Sequence, residues 1–213
     1  MPPRPVPRPR ALLLAPGAGS SASHPSLVAI EQGLPGLKVR RMDFPYRLAG
    51  RRAPDRAPVL LAAVRSGAEA LAADTPCRPE EIVFGGRSMG GRMCSMAIAE
   101  GMPARGLVCI CYPLHPPGKP ENLRIAHLPD ITVPCLFISG TRDAFGTPDE
   151  LCAHTAAIPG PVEYHWMDKA GHDLRGHDAA IAEIVADWVS RLSAIGSPSA
   201  VTPAKRKTAH PPG

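Results

Sequence analysis

Ile82-Val83-Phe84-Gly85-Gly86-Arg87-Ser88-Met89-Gly90-Gly91-Arg92 begins as a short apolar run, breaks into Gly86-x-Ser88-x-Gly90 and continues in helix-forming residues. The pattern predicts a nucleophile elbow. A strand turns sharply into a helix there, and the flanking glycines let the backbone bend until the serine hydroxyl stands exposed above the sheet. A Gly-rich turn satisfies the same five-residue pattern, so its weight comes from its surroundings.

Outward from this stretch, apolar runs alternate with helical periodicity. Ala11 to Ala15 is a buried strand ending at Pro16-Gly17-Ala18-Gly19, residues 25–34 are a helix, and residues 37–44 are a more polar strand suited to a sheet edge. From Pro58 to Ala73, Leu60, Leu61, Val64, Ala68 and Leu71 recur at helical spacing. After the elbow a helix runs from Met89 to Glu100, stopped by Gly101 and Pro103. Residues 106–112 and 134–139 are continuous apolar runs, the signature of parallel strands covered on both faces. Residues 113–133, with five prolines, form a long loop. A helix over 148–157, a strand over 162–167 and a closing helix through Ile181, Val185, Trp188 and Leu192 complete the series. Six alternations predict an α/β fold: a mainly parallel six-stranded sheet, helices on both faces, no cap domain, and ligands at the carboxyl ends of the strands.

The 213 residues fit one domain, expected over 11–195. A disordered Pro/Arg arm is expected over 1–10 and a disordered basic tail over 196–213. The formal charge is +5, but Arg4, Arg8, Arg10, Lys205, Arg206 and Lys207 all lie in those ends. Without them the body has 18 basic and 19 acidic residues. That balance argues against nucleic-acid binding on the folded body. No apolar run is long enough for a membrane span, and no targeting segment is read, so the cytoplasm is the expected compartment. The six cysteines sit mostly in strand-like runs without disulfide or zinc-ligand spacing, and neither a metal nor a cofactor is expected.

A serine is a weak nucleophile at neutral pH. It needs an imidazole to take its proton and a carboxylate to hold that imidazole. Asp143 follows the strand ending near Ile138, and His172 follows the last strand, just before the closing helix. Three residues of the required types, in the order Ser, acid, His and each past a strand end, predict Ser88, Asp143 and His172 as a catalytic triad. The oxyanion would be held by the backbone N–H of Met89 and that of Ala18, with Gly17 as the neighbouring alternative. Arg87 and His115 are weaker candidates for substrate binding, Lys119 accompanies His115 in the long loop, and Asp173 is the fallback acid.

The stretches LLLAPGAG, GGRSMGGRM, LVCICYPLHPPGKPE, CLFISGTRD and KAGHDLR, spanning residues 11–192, resemble the small lidless α/β-hydrolases that include the dienelactone hydrolases. They are most similar to the hydrolase-like domain shared by a testis-expressed protein and a subunit of the non-specific lethal chromatin complex. The resemblance implies a sheet with strand one between strands two and three, and the same triad. Two departures stand out: Pro16 replaces a histidine in the first loop, and Ser88 stands where dienelactone hydrolases carry cysteine. The reading is a serine hydrolase cleaving a small ester or thioester through an acyl-enzyme. The alternative is a non-enzymatic interaction domain that keeps the fold. Oligomeric state is left open.

Overall fold

A strand whose every residue is apolar has to be covered on both faces, and the computed structural model, which describes residues 7–192, shows how this is done. Strand β1 (Ala11–Ala15) is wholly buried. Ala11, Leu13 and Ala15 face one core and Leu12 and Leu14 the other. The first core is closed by helices α3 (Ala57–Asp74) and α4 (Met89–Ala99), together with Leu151 of α5 (Pro148–Thr155). The second is closed by α1 (Pro25–Gln32) and α6 (Asp178–Arg191), through Leu27, Ile30, Ile181, Val185 and Trp188.

The remaining strands are β2 (Lys38–Arg41), β3 (Ile82–Arg87), β4 (Gly106–Ile110), β5 (Cys135–Gly140) and β6 (Val162–Met167). The sheet is six-stranded in the order β2-β1-β3-β4-β5-β6, and every neighbouring pair is parallel. Strand one therefore lies between strands two and three, as the resemblance implied. The polar β2 and the alternating β6 are the two edges, where one side of the ladder faces solvent. All six carboxyl ends share one rim, and β3, which carries the serine, is central.

Several elements end a residue or two away from the sequence reading, and two differences go further. Strand β2 stops at Arg41, and a short helix α2 (Pro45–Leu48) follows, burying Tyr46 beside Phe44. Four residues are too few to show helical periodicity. The arm expected through residue 10 is held from Pro7 onward: Arg10 N–H donates to the Glu81 carbonyl at 2.8 Å, and Arg105 Nε donates to that of Pro7 at 2.6 Å. The basic tail and the first six residues lie outside the described residues. Among those described, no separate cap domain occurs and no helix is long and apolar enough to cross a membrane.

Candidate active site

Ser88 occupies the joint between β3 and α4, with φ 49° and ψ −116°. For a residue with a Cβ this is a costly conformation, sustained only because the structure on both sides fixes it. The Ser88 N–H continues the sheet ladder to Ile110 O (2.8 Å), and Ser88 O accepts the first helical bond from Arg92 N–H (3.1 Å). Gly86 and Gly90 make the joint possible: a Cβ on either would run into the carbonyl oxygen of Ala15. The end of β1, the elbow and the first turn of α4 thus touch backbone to backbone.

Asp143 lies three residues beyond β5, and its side chain is wholly buried. Its carboxylate accepts the Phe145 N–H at 2.8 Å and the Ser139 hydroxyl at 3.2 Å. The His172 Nδ1 lies 2.9 and 2.8 Å from the two carboxylate oxygens. His172 follows β6, and its Nε2 is 2.8 Å from Ser88 Oγ. With Nδ1–H donating to the carboxylate, Nε2 is left as the acceptor for the serine hydroxyl. The Phe145 ring covers the imidazole at a centroid distance of 4.0 Å. Arg87 Nη2 donates to the His172 carbonyl at 2.7 Å, tying the histidine loop to the elbow strand. The loops bearing Asp143 and His172 are also joined directly, by Arg142 N–H to Ala170 O at 2.9 Å.

Beside this pair sits Cys111, buried, with φ 50°. Its sulfur and the Asp143 and His172 ligand atoms lie within 4.8 Å of one another. Burial, and next the Asp143 charge, push the thiol up to about 12, so it stays protonated beside the imidazole. Cys94, on α4, is pushed up to about 12 by burial alone and bonds to Gly85 O.

The cleft over Ser88 has a volume of about 600 Å³. Gly17 and Ala18 form one wall, and a Cβ on Gly17 would lie 3.6 Å from the Cβ of Ser88. Among the described residues, neither the Ala18 nor the Met89 backbone N–H has a protein acceptor. The Ala18 carbonyl accepts the Tyr46 hydroxyl at 2.7 Å. That bond supports the loop of residues 16–19.

The structure therefore brings Ser88, Asp143, His172, Met89, Ala18, Gly17 and Arg87 to one place. His115 is elsewhere: it is buried behind the cleft wall, bonded through Nδ1 to Pro116 O at 2.9 Å and 3.6 Å from Glu150. Lys119 is exposed and is not among the residues that line the cleft. Asp173 is exposed, 3.7 Å from Arg175, leaving Asp143 as the carboxylate on the imidazole. The long loop contributes Arg124 to the cleft instead, along with Arg92 from the first turn of α4. Neither position carries a signal a lone sequence displays, since an arginine in a Pro-rich loop or after a Gly-Gly pair reads as solvated.

A family model described as "Alpha/beta hydrolase domain" matches residues 8–192. Among solved structures, a dienelactone hydrolase from Anabaena variabilis is 20% identical, with a TM-score of 0.70 over 87% of this chain and 88% of that one. An alpha-beta serine hydrolase homologue from Coxiella burnetii is 17% identical, with a TM-score of 0.67 over 87% of each chain. The type II thioesterase BorB of the borrelidin biosynthetic cluster is 19% identical, with a TM-score of 0.61 over 86% of this chain and 95% of that one. At these identities the likeness is one of fold.

Proposed function

Because the chain belongs to the family of alpha/beta hydrolase domains, we propose that it is a serine hydrolase acting on a small ester or thioester through an acyl-enzyme. The observation that carries this is the unbroken line from Asp143 through His172 to Ser88, with bonds of 2.8 Å at both ends. Ser88 Oγ attacks the carbonyl carbon while its proton passes to His172 Nε2. The buried Asp143 carboxylate holds the tautomer and offsets the imidazolium charge. The carbonyl oxygen becomes an oxyanion held by the Met89 and Ala18 N–H groups, with Gly17 adjoining. As the carbon–oxygen or carbon–sulfur bond breaks, His172 returns the proton to the leaving group. Water, deprotonated by the same imidazole, then cleaves the acyl-enzyme to acid and free Ser88.

An open cleft without a cap suits short, fairly soluble substrates better than long acyl chains. The likeness to the domain shared by the testis-expressed protein and the chromatin-complex subunit, and a cytoplasmic location for a chain with four fully buried thiols, belong to this same reading. The test is labelling by a fluorophosphonate probe. The wild-type protein is labelled and Ser88→Ala is not; a folded protein that never labels would overturn the proposal.

A further inference from the structure

Two guanidinium groups line the cleft with Ser88 and meet no carboxylate. Arg92, one helical turn beyond Ser88, has its Nε buried without a partner. Arg124 has one side-chain bond, from Nη1 to the Pro113 carbonyl at 3.3 Å. Neither takes part in any ion pair among the described residues, whereas seven other arginines do. Neither is hydrogen-bonded to a carboxylate. Tyr112 is held protonated, chiefly by burial. His127 is pushed down to about 4 by burial and then by the Arg92 charge, so it is neutral. Burial first, and Arg92 second, lower Arg124 itself. Of the carboxylates at the cleft, Asp55 pairs through Oδ1 with Arg51 at 2.8 Å, its Oδ2 being buried without a partner, and Asp143 is turned to His172.

The position of Arg124 is also enforced. Its N–H donates to Leu114 O at 2.8 Å and its carbonyl accepts the Tyr112 hydroxyl at 2.6 Å, so both sides of this residue are pinned to the exit of β4. The Pro-rich loop is folded back in a way that delivers this guanidinium to the cleft. Arg87, 6% exposed and with Nη1 unpartnered, adds a third cation to the cleft lining. Like charges half out of water repel and cost free energy until an anion joins them. A planar fork of N–H donors matches a carboxylate.

We propose that the substrate carries a carboxylate, bound between Arg92 and Arg124 while its ester or thioester carbonyl lies on Ser88; this deepens the hydrolase reading and rests on it. Rates of two matched ester pairs test it. 4-Acetoxybenzoate against its methyl ester places the charge on the leaving group, and monophenyl adipate against phenyl methyl adipate places it on the acyl group. At least one charged member is expected to be favoured about tenfold or more in kcat/KM. That charged-to-neutral ratio should fall about tenfold in Arg92→Gln and in Arg124→Gln, mostly through KM, and recover partly in Arg92→Lys. Arg40→Gln, on the distant β2 edge, should leave the ratio unchanged. Preference for the neutral member in both pairs, or an unaltered ratio in folded Arg92→Gln and Arg124→Gln, overturns the proposal. Binding separates it from the parent reading. Adipate should bind Ser88→Ala saturably and about tenfold more weakly when Arg124→Gln is added. This holds even if no ester is turned over, and the absence of saturable binding overturns the carboxylate site.

Discussion

Replacing Asp143 by Asn keeps the shape of the buried side chain and removes its charge. The carboxylate has three donors aimed at it, from Phe145, Ser139 and His172. An amide can accept from some of these, but its NH2 must face at least one of them. The readiest relief is for His172 to lose its Nδ1 proton and carry it on Nε2, where it meets Ser88 as a donor and can no longer accept the hydroxyl proton. The variant also loses the charge that offsets the imidazolium in the transition state. With charge centres about 4 Å apart and an effective dielectric constant near 20, that attraction is about 4 kcal/mol. This corresponds to about a 10³-fold lower kcat. The assay is hydrolysis of 4-nitrophenyl acetate at pH 8 together with the rate of fluorophosphonate labelling, with circular dichroism to establish that the variant is folded. A folded Asp143→Asn protein within tenfold of wild type in both measurements would refute the assignment of this carboxylate to His172.

Arg87→Met removes the donor on the His172 carbonyl while filling most of the volume, so the imidazole should be less well placed. Loss of a charge-assisted bond of about 1.5–3 kcal/mol predicts kcat lower by about 10- to 100-fold with KM little changed, and an unchanged kcat would contradict the clamp. Thiol titration of the native protein should register Cys152 quickly and Cys77 slowly, and Cys94, Cys109, Cys111 and Cys135 only after denaturation, because the last four are buried. Stability should respond to His127. Its folded value of about 4 lies below the ordinary 6.5, so the unfolded chain binds the proton more readily, and stability present above pH 6.5 is lost as pH falls toward 4. His127→Gln should flatten the thermal-melting profile over that interval, and an equally steep profile would show that other groups govern it.

The parallel sheet and the elbow were legible because their causes are local or periodic. A continuous apolar run such as Leu107 to Cys111 can only be a strand covered twice, and Gly86 and Gly90 announce a backbone contact that excludes any side chain. Asp143 and His172 were found by their position after strands, which topology carries to one rim. What escaped notice depends on contacts distant in sequence. Tyr46 supports Ala18 from a helix too short to display a period. Arg124 reaches the cleft because bonds at its N–H and carbonyl fold its loop back, and His115, from the same loop, is held away from the cleft with its N–H donating to Phe145 O at 3.1 Å. Spacing alone points to His115 and leaves Arg124 looking like a solvated arginine of a Pro-rich loop. The difference is made by tertiary hydrogen bonds.

The sheet order assigns the parts of the site unequal protection. Ser88 stands on central β3, while His172 follows β6, the edge strand that pairs only with β5 and whose residues are mostly half-buried. In a chain emerging from the ribosome, the elbow can assemble as soon as β4 and its neighbours are in place. The base arrives only when the last strand and α6 dock. On the proposed mechanism hydrolysis requires this completed edge, and native-state hydrogen exchange should find β6 opening at lower free energy than β3. Loss of turnover in mild denaturant would then precede loss of the central sheet, making activity a gauge of the molecule's edge rather than of its core.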